Sequence, residues 1–256
     1  MAANLAQSNT DPSQLIRYLS TNKEIVSLEC GQMDPSKPSE MLLIGSETNL
    51  LVYDVHENAD VFDQEVSDGL NCVAFGEMAG YDDPLVVAGG NCSIVGLDHN
   101  ADEKLWTVTG DNVTAMEFLD WQNVGSLNLV VGSDDYAIRV FEGAEIIFDI
   151  NEEASILQLK GIKRNVFGYA LSNGTYGVYY SRKRLWKQKQ SAKVTSIVGV
   201  DFEHNGQMHL VIGFDNGEIE VRSHRTGELT HKTRMTKTLG GKYPGVAKLF
   251  YYDYRM

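Results

Sequence analysis

Asp201-Phe202-Glu203-His204-Asn205-Gly206 sets three oxygen-bearing side chains at alternate positions ahead of a glycine. A short loop wraps a hard cation with that spacing, so Asp201, Glu203 and Asn205 are the candidate calcium ligands. His209 stands where a final carboxylate would be useful. Asp120-Trp121-Gln122-Asn123-Val124-Gly125 keeps fewer ligands, and Asp98-His99-Asn100-Ala101-Asp102 has three but no glycine. Beside the calcium reading stands a plainer one, in which these loops are reduced to turn chemistry.

The second chemistry is cationic. Arg182–Lys193 (RKRLWKQKQSAK) carries six basic residues around Leu185 and Trp186. Charge of this kind defends a sheet edge, and it also suits an acidic protein neighbour or anionic headgroups. Arg182, Lys183, Arg184 and Lys187 are the candidate partner-binding residues. Trp121, in a loop, is the tryptophan expected to be exposed for a partner, whereas Trp106 (KLWTV) and Trp186 (RLWKQ) read as equivalent positions that pack blade against blade. No HExxH, P-loop, GxSxG or dinucleotide fingerprint occurs, and no repeat-phased set of carboxylates or histidines appears on the innermost strands. The six histidines fall mainly in loops and turns. The chain reads as no enzyme, with no cofactor.

Short apolar strands separated by turns must position these residues. Val113–Ile150 contains four of them, and Tyr136–Phe141 alternates with a period of two. Four strands of about six residues make one antiparallel meander the size of a propeller blade. An apolar run ending at a small residue recurs at Gly45, Gly89, Gly132, Ala170 and Gly213, spacings typical of propeller repeats. Asn173-Gly174 and Asn216-Gly217 supply hairpin turns. The expected fold is all-β: a β-propeller of four-stranded antiparallel blades over 24–66, 71–109, 113–150, 155–190 and 194–234, with the first strand of a further blade at 246–252. Residues 1–23 form an irregular lead-in with a possible strand at 14–20. Five full blades plus fragments make an incomplete ring with exposed edges, which is the expectation for a piece of a longer product or for a ring closed by a partner.

Composition sets further bounds. The chain has 256 residues, 43% hydrophobic and 22% charged, with 24 glycines against 5 prolines, which suits tight turns rather than disorder. No apolar run approaches about 18 residues, so no membrane-spanning helix is expected. The N-terminal MAANLAQSNTDPSQ lacks the basic and apolar regions of a secretory signal. Cys30, Cys72 and Cys92 show no CxxC pairing and read as reduced thiols of a cytoplasmic protein. The Asn-x-Ser/Thr triplets at Asn91, Asn112 and Asn173 are then hairpin residues. The net charge of −13 divides unevenly: residues 1–150 hold 26 acidic and 5 basic residues, whereas 151–256 hold 9 and 17. The acidic half repels nucleic acid, while the basic half suits an acidic surface.

The runs NLLVYDV, GGNC, WTVTGDNV, VGSDDYAIRVF, FGYALSNGTYGVY, RTGE and DYRM, in this order over residues 24–256, resemble the N-terminal propeller of the Bardet–Biedl syndrome protein 2 family. The Gly-His and Trp-Asp marks of WD repeats are missing. The resemblance implies a non-catalytic subunit of the BBSome, a coat-like complex that moves membrane proteins to and from cilia. It implies other BBSome subunits as partners, Bardet–Biedl syndrome protein 7 notably, with cargo tails and peripheral membrane association through the complex, and no nucleic acid. Cytoplasm, cilium, ciliary membrane and basal body are the implied locations. The sequence departs from the family pattern at both ends, where about one blade before and everything after DYRM are missing, which puts coiled-coil pairing in doubt. Arl-type GTPase recruitment belongs to a different subunit's propeller. The alternative is a calcium-binding, integrin-type propeller used in adhesion.

Overall fold

The second strands of the repeats, such as LVVAG at 85–89 and NLVVGS at 128–133, are buried along their whole length. A strand apolar on both faces needs cover on both faces, and here the neighbouring sheets supply it. In a computed structural model of the chain, which describes residues 19–202, 204–237 and 244–251, all regular structure is strand. Among the described residues no helix is long and apolar enough to cross a membrane.

Blade one comprises β1 (Ile25–Gly31), β2 (Met41–Ser46), β3 (Asn49–Asp54) and β4 (Ala59–Glu65). Blade two comprises β5 (Cys72–Gly76), β6 (Leu85–Gly89), β7 (Ser93–Leu97) and β8 (Glu103–Val108). Blade three follows with β9 (Val113–Leu119), β10 (Asn128–Ser133), β11 (Ala137–Glu142) and β12 (Glu145–Asn151). Blade four is β13 (Ile156–Lys163), β14 (Val166–Leu171), β15 (Thr175–Tyr180) and β16 (Lys183–Lys189). Blade five is β17 (Val194–Val200), β18 (His209–Phe214), β19 (Glu218–Ser223) and β20 (Leu229–Arg234). Each is a separate antiparallel meander in sequence order. The five sheets are not closed into a ring by any strand pairing among the described residues.

Successive first strands lie side by side, β1 to β5 to β9 to β13 to β17, and their residues line one central cavity. The hydrophobic core is accordingly four wedges, one between each pair of adjacent blades. The recurring small residue acquires a physical reason here. A Cβ on Gly132 would lie 2.4 Å from Ile156 Cγ2 of the next blade, and one on Gly213 would lie 2.5 Å from Val246 Cγ1. A small residue, glycine in four blades and Ala170 in blade four, is needed because the next blade touches the sheet there, not for the turn that follows.

Val246 therefore fills, against blade five, the place that Leu70 fills against Gly45 of blade one. The parallel continues: Leu249 N donates to Ser196 Oγ at 3.0 Å, as Val73 N donates to Ser27 Oγ at 3.1 Å. Residues 244–251 are nonetheless not assigned to a strand. Of the segment 14–20, residues 14–18 lie outside the described residues and Leu19-Ser20 are not in a strand. The three cysteines are unpaired.

A second repeated feature fixes the register of the outer strands. Every blade has a bulge between its third and fourth strands at the same place: Val52/Tyr53, Gly96/Leu97, Val140/Phe141, Val178/Tyr179 and Val221/Arg222. The fourth strand carries the extra residue, which bends it along the rim.

Candidate interaction surface

The basic run forms β16, the outer strand of blade four, and half of it turns inward. Arg184 Nη2 donates to Glu152 Oε1 at 2.6 Å and to Tyr179 Oη at 2.8 Å, with its guanidinium 5.3 Å above the Tyr179 ring centre. The Glu152 side chain is 1% exposed, so this is a buried charge held by one cation and the Tyr179 hydroxyl. Burial, with Glu152 next to it, pushes the Tyr179 hydroxyl well above the usual phenol range. Arg182 lies 5.5 Å over the Phe148 ring. Lys187 Nζ donates to Glu153 Oε2 at 3.3 Å. Glu153 also accepts from Thr175 Oγ1 and Asn173 Nδ2, and these hydrogen bonds, then Lys187, lower its carboxyl to about 2. Three of the four expected partner-binding residues thus clamp blade four to blade three or to the link between them. Lys183 and Lys189 are exposed and have no acidic partner among the described residues.

Blade five repeats the arrangement. Glu220, 1% exposed, accepts from Tyr176 Oη at 2.7 Å and Arg222 Nε at 2.9 Å, and Lys232 Nζ lies 3.2 Å away. Burial acts to raise its carboxyl, but the Tyr176, Arg222 and Lys232 bonds overcome that and hold it lowered. Sequence reading missed both networks, because their members come from different blades.

The calcium-like loops are built around their own amides. Asp201 Oδ1 and Oδ2 accept from Asn205 N at 3.3 Å and Gly206 N at 2.7 Å, and Asn205 Oδ1 accepts from Gln207 N at 2.8 Å. Glu203 lies outside the described residues. Asp120 repeats the geometry with Val124 N at 2.9 Å and Gly125 N at 3.0 Å, and Arg164 Nε sits 3.4 Å from Oδ2. Asp98 accepts from Asn100 N and Asp102 N, while Lys104 Nζ sits 3.2 Å from its other oxygen. Folding does bring Asp83, on another hairpin, within 4.8 Å of Asp98 and His99. Along the central cavity Glu117 is paired with Lys160 at 2.9 Å, beside Glu29.

The tryptophans require two corrections. Trp121 is 5% exposed and packs on Phe148 at 5.1 Å and Phe167 at 5.9 Å, because Asp120 curls the loop back and lays the ring into the wedge between blades three and four. Trp106 and Trp186 are not equivalent. Trp186 pairs with Val178 next to the bulge, and the residue in that place in blade two is Leu105, paired with Gly96. Trp106 is one residue further on, opposite Val95, so it points to the other face of its sheet. Trp186 is 9% exposed and donates Nε1 to His224 O at 2.9 Å, packing blade four on blade five as expected. Trp106 is 58% exposed.

The chain matches two regions of one family: the ciliary BBSome complex subunit 2, N-terminal region, over residues 1–76, and its middle region over residues 115–222. It is 39% identical over 255 residues to the BBSome complex member BBS2 of Danio rerio, covering 100% of this chain and 34% of that protein. Identity to the Homo sapiens BBSome complex member BBS2 is 38% over 241 residues, 94% of this chain and 32% of the relative. The chain spans about a third of the length of these curated relatives. Among solved structures, that of BBS1N in complex with ARL6DN superposes with a TM-score of 0.72 at 13% identity, covering 91% of this chain and 73% of that one. That likeness is one of fold, and the fold is the propeller.

Proposed function

On the premise that this chain belongs to the ciliary BBSome complex subunit 2 family, we propose that it is a non-catalytic protein-interaction module of the BBSome, acting in the traffic of membrane proteins to and from cilia. The observation that carries this reading is similarity to BBSome subunits over the whole chain, 39% over 255 residues, rather than over one motif. A rigid arc of five blades supports it, since rims and loops of such a body offer large contact surfaces. So does the charge division, because an acidic half and a basic half steer complementary neighbours together.

In this reading the partners are other BBSome subunits, Bardet–Biedl syndrome protein 7 among them, with cargo tails and a membrane reached through the complex. The sites of action are the cytoplasm, basal body, cilium and ciliary membrane. Arg182, Arg184 and Lys187 act chiefly by holding β16 in place, and Lys183 with Lys189 presents the free positive charge to an acidic neighbour.

The test is capture of this chain's binding proteins from ciliated-cell extract, identified by mass spectrometry. BBSome subunits are the expected catch, and Lys183→Ser with Lys189→Ser weakens it more at low salt than at high salt. Folded protein that captures no BBSome subunit sinks the reading.

A further inference from the structure

Five copies of one blade allow each surface position to be compared with its four equivalents. On the fourth strand, two residues point towards the preceding blade at the rim. They are Asp63 and Glu65 in blade one, Asp149 and Asn151 in blade three, Lys187 and Lys189 in blade four, and Lys232 and Arg234 in blade five. All eight are polar and exposed. In blade two the same pair is Trp106 and Val108, 58% and 50% exposed. Nothing in the fold demands apolar residues there, since four blades form without them.

These two side chains form one wall of a groove of about 430 Å³ between the rims of blades one and two. Its floor is Val66, Ala88 and Val95. Asp68 and Glu103 put acidic side chains along it, beside the uncharged Gln64, Ser67 and Ser93. No Lys or Arg among the described residues lines it. The described start of the chain does not reach it: Lys23 lies 3.7 Å from Asp63, which points away from blade two.

We propose that this groove docks an extended segment of a partner protein with apolar residues at alternate positions flanked by lysine or arginine. The extended form follows from the spacing of Trp106 and Val108, about 7 Å apart along a strand, which matches alternate side chains of a bound strand. The basic flanks follow from the carboxylates. An exposed tryptophan beside acidic groups also suits the stem of an arginine or lysine. The inference stands apart from the assembly reading, because it concerns the acidic end of the arc and not β16.

Two double variants separate its parts. Trp106→Gln with Val108→Thr removes the apolar wall and leaves a pair of the type the other blades carry, so folding is kept. Asp68→Asn with Glu103→Gln removes the charge from the groove and keeps the wall. Trp121 and Trp186 are 5% and 9% exposed, so acrylamide quenching reports mainly Trp106. The probe is a short synthetic peptide alternating phenylalanine and lysine, with a phenylalanine–glutamate peptide as its counterpart. The expected result is saturable shielding of Trp106 by the lysine peptide. The wall variant weakens its binding about tenfold or more with an unchanged melting temperature, read by labelled-peptide anisotropy, and the charge variant abolishes its salt dependence. Equal binding of the glutamate peptide, or undiminished binding by the wall variant, overturns the proposal. So does a concentration-dependent dimer that the wall variant abolishes, since the occupant would then be a second copy of this chain.

Discussion

At the scale of the residue, the decisive contrast is between charges that look alike in sequence. Arg184 and Lys183 are neighbours, yet one closes a buried ion pair and the other stands in solvent. Truncating Arg184 leaves the Glu152 carboxylate buried without its cation, so Arg184→Ala costs about 3–5 kcal/mol in chemical denaturation, whereas Lys183→Ala stays within about 0.5 kcal/mol. Adding Glu152→Gln to Arg184→Ala recovers much of the loss, which distinguishes an orphaned charge from lost packing. Glu153 gives a pH signature. Its carboxyl is lowered from the ordinary 4.5 to about 2 by Thr175, Asn173 and Lys187, so it binds its proton less readily folded than unfolded. Its contribution is fully present above the unfolded value and disappears as pH falls through the folded one. Melting temperature measured from pH 5 to pH 2 therefore falls less in Glu153→Gln than in the parent, although the variant starts lower. The basic run was legible as chemistry, but its inward half was not, because Glu152 and Glu153 sit in another part of the chain and only the stacking of blades brings them to β16.

At the scale of the element, the strands and their number were written plainly in the apolar runs and the turn residues between them. Registers were not. KLWTV and RLWKQ align by eye on their tryptophans, but the bulge at Gly96/Leu97 and its counterpart at Val178/Tyr179 set Leu105, not Trp106, against Trp186. A slip of one residue exchanges the faces of a strand, so the eye's alignment turned an exposed ring into a buried one. Trp121 was misread for a related reason: a loop residue is expected outside, and nothing in the spacing of Asp120 shows that its carboxylate curls the loop inward. Those Asp-centred loops already satisfy their carboxylates with backbone amides. Millimolar calcium is accordingly expected to leave the melting temperature unchanged, and a rise that Asp201→Asn removes would restore the calcium reading. The glycine near the end of the second strand in four of the five blades carries a different constraint. Gly132→Ala places a methyl 2.4 Å from Ile156 Cγ2, so it costs about 1–3 kcal/mol, and Ile156→Ala in the same chain relieves part of that cost.

At the scale of the whole molecule, the arc is held by contacts between neighbours in a row, and its stability is closer to a sum of blades and interfaces than to that of one undivided core. Among the described residues, the two end blades each have a neighbouring sheet on one side alone. Blade one leaves Ile25 and Leu28 exposed on its first strand, whereas blade five is partly covered by residues 246–249, with Val246 5% exposed against Gly213. This covering segment does for blade five what Leu70 and Val73 do for blade one. It predicts a local loss on truncation: Val246→Ala removes the side chain that covers Gly213, opens β17 and β18 to hydrogen exchange, and leaves protection of β5 to β11 unchanged. If exchange rose equally in all blades, the arc would be unfolding as one unit and the row of separable interfaces would be the wrong description. An association that covered blade one or extended the segment after Val246 would stabilise the end blades first, with the middle blades serving as the rigid spacer between an acidic and a basic surface.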